Sequence, residues 1–522
     1  MGKLTQSINN FVISTVGSGS RMRTLNSRLH KSLLPIKDVP ILHHLIEQIP
    51  ENAQIYILVG YLKDQISDYL AVAFPKLRIE LIHVEDWESE NSGTGFSLKH
   101  IEGLNLESFW YSPCDLYLEQ NPFIIKDLKE NTFFYSDQPH KFSEVYTWFT
   151  SQDSRILKVF VKLPSKEPIQ AFTGVMFIKD AREFLSRISS AQLPEFVDAI
   201  QPDEKLMVLD GWNDTGNPES YLSIRSKFEK FDFSKEGEFT FQLKEMIIKW
   251  WDNPKASEQK LRKVFASPAV YPKNVFQKGN FLSYKLANGD SYYKFVNSDN
   301  FLQLLQFLKH ELWTRDVTNI LSDVQEFYVE KTNARITSMS PDLHEHRFNP
   351  VRVNGISVRP WNEYLSRVDW PSLLGQAKTS RIHGDLQFDN IIYDETNNEF
   401  TLIDWRATFG LQEILGDIHY DFAKMLGGLR LNYLQVKRNE FKFSFAEETF
   451  AASLVIPSAA NAADLENLLH VFVVENGYSW ELVQSLVPII YWNMAPMHSE
   501  PFKSFLWSLG LMEFSKLETD GI

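Results

Sequence analysis

The stretch RIHGDLQFDNIIYDETNNEFTLIDWR sets His383, Asp385, Asn390 and Asp404 close together in the chain. A carboxylate such as Asp385 can orient a substrate hydroxyl or accept its proton, while Asn390 and Asp404 offer oxygens able to hold Mg2+ against ATP phosphates. Asn390 follows Asp385 by five residues, and the turn DETNNE between two apolar runs brings Asp404 back beside them. Taken singly these are turn and cap residues; the combination H-G-D-x-x-x-x-N followed by I-D-W is what favours phosphoryl transfer. A second chemistry lies near the start of the chain, where the apolar run FVIST enters Gly17-Ser18-Gly19-Ser20-Arg21, with Lys31 a short loop later. Small residues let backbone N–H groups approach a triphosphate, and Arg21 and Lys31 supply cations for charge developing on a phosphoryl group. The loop is neither a Walker A motif, since no G-K-S/T closes it, nor a dinucleotide fingerprint, since the G-x-x-G half is absent.

The N-terminal segment resembles the signature of sugar-phosphate nucleotidyltransferases through Gly17, Gly19, Ser20, Arg21, Lys31, Leu34 and Pro35. The resemblance continues in order through YILVGYLKDQISDYL, then Gly93-Thr94-Gly95, which is similar to the turn that contacts the base. Asp115, after FWYSPCD, and Asp214, in WNDTGNPESYL, stand where the family holds its metal carboxylates, which implies Mg2+ between them. Lys162 is similar to a lysine that grips the sugar phosphate. His30 and Val39 depart from the pattern, which has proline and lysine there. The C-terminal motif resembles the aminoglycoside phosphotransferase and choline kinase superfamily, and GDIHYDFAKML, with Asp417 and Asp421, is similar to the helix after its metal aspartate. That resemblance implies a small-lobe lysine on the nucleotide phosphates with a glutamate to hold it. Lys230 with Glu245 and Lys294 with Glu311 both offer the arrangement; the earlier pair is preferred because YKLANGDSYY then reads as a hinge between lobes.

The elements that must position these groups change along the chain. Over residues 1–225 short apolar strands alternate with amphipathic helices: strands at Phe11 to Thr15, Ile55 to Val59, Ile79 to His83 and Phe109 to Ser112, helices near Pro40 to Gln48 and Leu62 to Leu70. This predicts an α/β, Rossmann-like domain with a mainly parallel sheet. Residues 226–522 read as a second, protein-kinase-like α+β bilobal domain, with a helical stretch at Phe239 to Asp252 in the smaller lobe and a larger helical lobe after it. Leu343-His344-Glu345-His346 reads as a solvated loop rather than a metal site, and Tyr478, Trp480, Tyr491 and Trp492 as core rather than an aromatic box for a cation.

Composition bounds the rest. The chain of 522 residues, 43% hydrophobic and 23% charged, suits roughly two to four globular domains. Its 53 basic and 67 acidic residues give a net charge of -14, which disfavours nucleic acid and anionic membrane as partners but not nucleotides bound through Mg2+. A single cysteine, Cys114, and the lack of a signal peptide or a run of about 18 apolar residues point to the cytoplasm. Together the two resemblances imply a bifunctional enzyme: ATP phosphorylates a small hydroxylated metabolite, a sugar by preference, and a second NTP, CTP or UTP, then activates that phosphate for surface polysaccharide synthesis. Choline or another amino alcohol is the alternative acceptor, and one domain acting as a catalytically silent regulatory module is the alternative of another class.

Overall fold

A computed structural model describes residues 10–25, 28–89, 93–126, 128–138, 143–188, 196, 199–228, 237–459 and 461–519. The chain divides into two compact units. The first comprises Met1–Asp252 with Lys278–Leu282, the second Asn253–Gln277 with Ser283–Ile522. The division thus falls after Asp252, whereas the sequence reading puts it near 225.

The first unit is built on strand Asn10–Ser14, whose residues Phe11, Val12 and Ile13 are all buried. Successive side chains of a strand point to opposite faces. Accordingly Phe11 and Ile13 join one apolar cluster, with Leu45 and Tyr69 of helices Ile41–Glu47 and Lys63–Ala73. Val12 joins the other, with Leu98 and Phe184 of helices Thr94–Lys99 and Ala181–Arg187. The nine-stranded sheet is therefore covered on both faces. In spatial order its strands are Ile79–His83, Gln54–Val59, Asn10–Ser14, Phe109–Pro113, Gln170–Ile178, Thr132–Ser136, Lys205–Val208, Arg155–Val161 and Thr147–Gln152.

The first four strands run parallel, and the remainder of the sheet is mixed rather than mainly parallel. One cause is local: Asp153 and Ser154, both at positive φ, join two adjacent strands. A two-residue turn of that hand reverses the chain and makes the pair antiparallel. A second correction concerns Phe239 to Asp252, read from the sequence as helical. It forms an antiparallel hairpin of Glu238–Gln242 and Met246–Trp251. Phe241, Ile248 and Trp250 enter the first unit's core with Tyr69 and Phe281, so aromatic and β-branched residues, which pack well on a pleated surface, decide the local structure.

In the second unit, strands Thr379–Arg381 and Leu415–Asp417 pair antiparallel, and Ile391–Asp394 pairs with Glu399–Leu402 across the turn expected from DETNNE. Helix Ile418–Arg430 is buried over Ile418 to Leu429, the pattern of a helix enclosed on all sides. Helices Trp480–Met494 and Phe502–Thr519 pack closely, because Gly510 leaves no Cβ, which would otherwise lie 2.5 Å from the Trp492 ring. Tyr491 and Trp492 are core residues, bonded to the carbonyls of Gly427 and Trp507. No helix among the described residues is long and apolar enough to cross a membrane.

Candidate active sites

In the first unit the central strand ends where Thr15 donates to the Leu58 carbonyl, and the chain turns through Gly17 to Gly19. Gly19 has φ 57°, a left-handed value that suits glycine, and a Cβ there would lie 2.8 Å from Lys31 Cδ. The aliphatic stem of Lys31 thus packs directly on the loop. Ser20 begins the turn Ser20–Thr24 that also carries Arg21.

His30 braces the same arrangement. It is fully buried, donates from Nε2 to the Thr15 carbonyl at 2.9 Å and accepts the Ser32 amide at Nδ1 at 3.2 Å. Burial, with the neighbouring Lys31 charge, pushes its pKa down to about 3, so the ring is neutral. This residue, which departs from the expected motif, ties the strand end to the turn bearing Lys31.

Lys31 Nζ lies 2.5 Å from Asp115 Oδ2. Burial opposes the charge on both groups, yet their attraction prevails: the ammonium is held above its ordinary range and the carboxyl below it. The neighbouring Cys114 thiol is pushed up to about 12 by burial and stays protonated.

Asp115 and Asp214 are distant in sequence, but strand Trp212–Asp214 pairs antiparallel with Leu116–Leu118 so that Asp214 faces Leu116. The Thr215 amide also bonds to the Asp115 carbonyl at 3.0 Å. As a result a Cβ on Gly216 would stand 3.1 Å from an oxygen of each carboxylate. Burial and the Asp115 charge raise the Asp214 pKa, against hydrogen bonds from the Gly216 amide and the Tyr146 hydroxyl.

A cleft of about 530 Å³ is lined by Gly17, Lys31, Gly93, Thr94 and Asp115. A smaller one of about 190 Å³ is lined by Arg21, Lys162, Asp214 and the rings of Tyr146 and Trp212, and it shares Thr94 and Asp115 with the first. Gly19 and Ser20 line neither and shape the loop instead. Tyr146 and the bracing role of His30 escape sequence reasoning, since a tyrosine in irregular sequence carries no spacing signal. Asn217, whose amide donates to Asp214 at 3.0 Å, was visible in the run NDTGN.

In the second unit the loop after Thr379–Arg381 is held from two sides. Asp421 is fully buried and accepts the amides of His383 and Gly384, both at 2.8 Å, and the Trp313 indole N–H at 3.1 Å. Burial raises its pKa, opposed by these donors and by Lys263. Asp417, also buried, accepts from the Tyr328 hydroxyl at 2.9 Å.

His383 links the motif internally. Its Nε2 donates to the Ile403 carbonyl at 2.9 Å and its Nδ1 accepts the Asp385 amide at 3.2 Å. Asn390 Nδ2 donates to the Asp385 carbonyl at 2.8 Å, and its own carbonyl accepts the Ile403 amide at 2.9 Å. Asp404, with φ 59°, follows directly, so Asp385, Asn390 and Asp404 are knitted into one locus.

Two lysines there are absent from the motif. Lys424 Nζ lies 2.8 Å from Asp385 Oδ1. Lys263, on helix Pro254–Ala266, donates to the Ile382 carbonyl at 3.0 Å, and burial pushes its pKa down to about 7. Lys424 was within reach of sequence reasoning, one turn after Asp421. Of the small-lobe candidates, Lys230 lies outside the described residues and Glu245 is exposed in a hairpin turn. Lys294 pairs with Asp290 at the surface rather than with Glu311.

No family model matches the sequence. The N-terminal part of the chain is 29% identical over 239 residues to the bifunctional protein GlmU of Methanococcus vannielii, covering 42% of this chain and 55% of that protein. To GlmU of Methanocaldococcus jannaschii it is 25% identical over 218 residues, covering 40% and 51%. The chain thus spans about half the length of the curated relatives it matches. Among solved structures, CTP:phosphocholine cytidylyltransferase LicC from Streptococcus pneumoniae aligns with 42% of this chain and all of its own, at 21% identity and TM-score 0.36. UDP-glucose pyrophosphorylase from Acinetobacter baumannii aligns with 42% of this chain and 93% of its own, at 12% identity and TM-score 0.36.

Proposed function

We propose that the first unit transfers a nucleotidyl group from an NTP to a phosphorylated acceptor. The observation that carries this reading is the convergence of Lys31, Asp115 and Asp214 where two adjoining clefts meet. The larger cleft suits the NTP, with the Gly17 loop and Lys31 toward its triphosphate and Thr94 toward its base. The smaller suits the acceptor: Tyr146 and Trp212 offer flat faces to a sugar ring, while Arg21 and Lys162 face its phosphate. An acceptor phosphate oxygen then bonds to the α-phosphorus and pyrophosphate departs, its charge met by Arg21 and Lys31. Asp115 and Asp214 fit Mg2+, because a cation between them offsets the repulsion and burial that raise Asp214. Bound there, Mg2+ would supply charge compensation for the phosphates.

The second unit, in the same proposal, is an ATP-dependent kinase. Asp385 orients the acceptor hydroxyl and takes its proton as the γ-phosphoryl group passes to that oxygen and ADP leaves. Asn390 and Asp404 are the residues that would hold Mg2+. The kinase product would be the acceptor of the first unit, a sugar phosphate activated for polysaccharide assembly in the cytoplasm.

The test follows ADP and pyrophosphate separately, with Mg-ATP, each of CTP, UTP, GTP and dTTP, and a panel of sugars and amino alcohols. Asp385→Ala should abolish ADP release and Asp115→Ala pyrophosphate release. A variant that leaves its own step intact refutes that site.

A further inference from the structure

Four cations gather beside Asp385 around two aromatic rings. Phe327 and Tyr420 meet edge to face, with centroids 4.9 Å apart. Lys331 Nζ lies 3.7 Å from the Phe327 centroid. The Arg406 guanidinium lies 5.1 Å from Phe327 and 6.0 Å from Tyr420. Lys424 Nζ is 5.9 Å from Tyr420 while bonded to Asp385. Arg335 stands one turn beyond Lys331 on helix Lys331–Ser338, and both residues feel the Arg406 charge.

Among the described residues no carboxylate forms an ion pair with Lys331, Arg335 or Arg406, and the Arg406 guanidinium donates to the Gly384 carbonyl. Like charges crowded in a half-buried wall repel one another, and of the four cations only Lys424 has a carboxylate partner, Asp385. Burial chiefly, with the charges of Arg406, Lys424 and Arg335 adding to it and Asp385 opposing it, holds the Lys331 pKa well below its ordinary range. Such a wall is completed by an anion brought by a ligand.

We infer that the phosphoryl acceptor of the second unit is itself an anion, a hydroxylated molecule whose carboxylate or phosphate sits against Lys331, Arg335 and Arg406 while its hydroxyl faces Asp385. The inference rests on the kinase reading and deepens it. A neutral sugar leaves the wall uncompensated, and a cationic amino alcohol meets repulsion. The wall belongs to the acceptor rather than to ATP because it stands beside Asp385, the group that takes the hydroxyl proton.

The probes are glucose, gluconate and glucose 6-phosphate, one carbon skeleton with no charge, a carboxylate and a phosphate, together with choline. ADP release by the full chain is measured at saturating Mg-ATP. One or both acids should exceed glucose and choline in kcat/KM by at least about ten-fold, and which acid leads tells carboxylate from phosphate. Arg335→Met and Lys331→Met should erase that preference with KM for ATP unchanged, and Arg335→Lys should restore part of it. A preference for glucose or choline overturns the inference, as does a rise in KM for ATP with the acceptor ranking intact, which would assign the wall to the nucleotide. If no acceptor gives Asp385-dependent ADP release, the kinase reading fails. Calorimetry with the same four probes then still decides: acid binding that Arg335→Met removes supports an anion site, and acids binding no better than glucose refute it.

Discussion

Replacing Asp421 by asparagine isolates what the buried carboxylate does for the loop that carries Asp385. The side chain keeps its shape but loses one acceptor oxygen. If the amide carbonyl takes the place of Oδ2, it can still receive the His383 amide and the Trp313 indole, now as a neutral acceptor; the new NH2 then confronts the Gly384 amide. Leaving that buried donor unmet costs about 1–3 kcal/mol, and weakening the other two bonds adds about 1–2 kcal/mol. For a domain of this size each kcal/mol lowers Tm by about 2–4 °C, so the second unit's transition should drop by roughly 5–20 °C. Differential scanning calorimetry reads this. ADP release, measured below the transition, should fall more than about ten-fold because His383 and Gly384 set the position of Asp385. Pyrophosphate release by the first unit should be unchanged. A Tm within about 2 °C of the parent with normal ADP release would refute the reasoning, since it would mean that the carboxyl is protonated in the fold and tolerates an amide.

Three further outcomes concern the first unit. Gly216→Ala places a methyl 3.1 Å from an oxygen of both Asp115 and Asp214 at a backbone conformation open to alanine, so pyrophosphate release should fall at least about ten-fold with Tm shifted by less than about 2 °C. Gly19→Ala strains a left-handed residue by about 1 kcal/mol and displaces Lys31; both Tm and pyrophosphate release should fall, and an unchanged turnover would show that Lys31 needs no support from the loop. His30 is protonated below pH 6.5 in the unfolded chain but only near pH 3 in the fold, so stability is lost as pH falls between those values, by about 2.5 kcal/mol from pH 7 to 4.5. His30→Gln should reduce that loss, read as a smaller drop in urea midpoint than the parent shows; equal drops would refute the assignment.

The residues carrying the proposed chemistry were legible where their spacing is local. Asp385 and Asn390 come just before one hairpin and Asp404 just after it, and Gly17 to Arg21 lie at one strand end, so motif and geometry coincide. The hairpin at Glu238–Trp251 was misread because a run such as MIIKWW suits a buried strand or a buried helix equally until Tyr69 and Phe281 are known to cover it. The sheet was misjudged as mainly parallel because strand direction depends on which strands become neighbours, not on strand composition.

By itself, then, the sequence determined the alternating strands and helices of the first unit and the two local motifs. Tertiary structure alone decided that the chain divides after Asp252, that Asp214 lies opposite Leu116 and so beside Asp115, and that Lys331, Arg335, Arg406 and Lys424 share a wall beside Asp385. The physical reason is common to all three. Strand register, core packing and charge crowding are set by residues tens to hundreds of positions apart, and a pattern read along the chain holds only the interactions between neighbours.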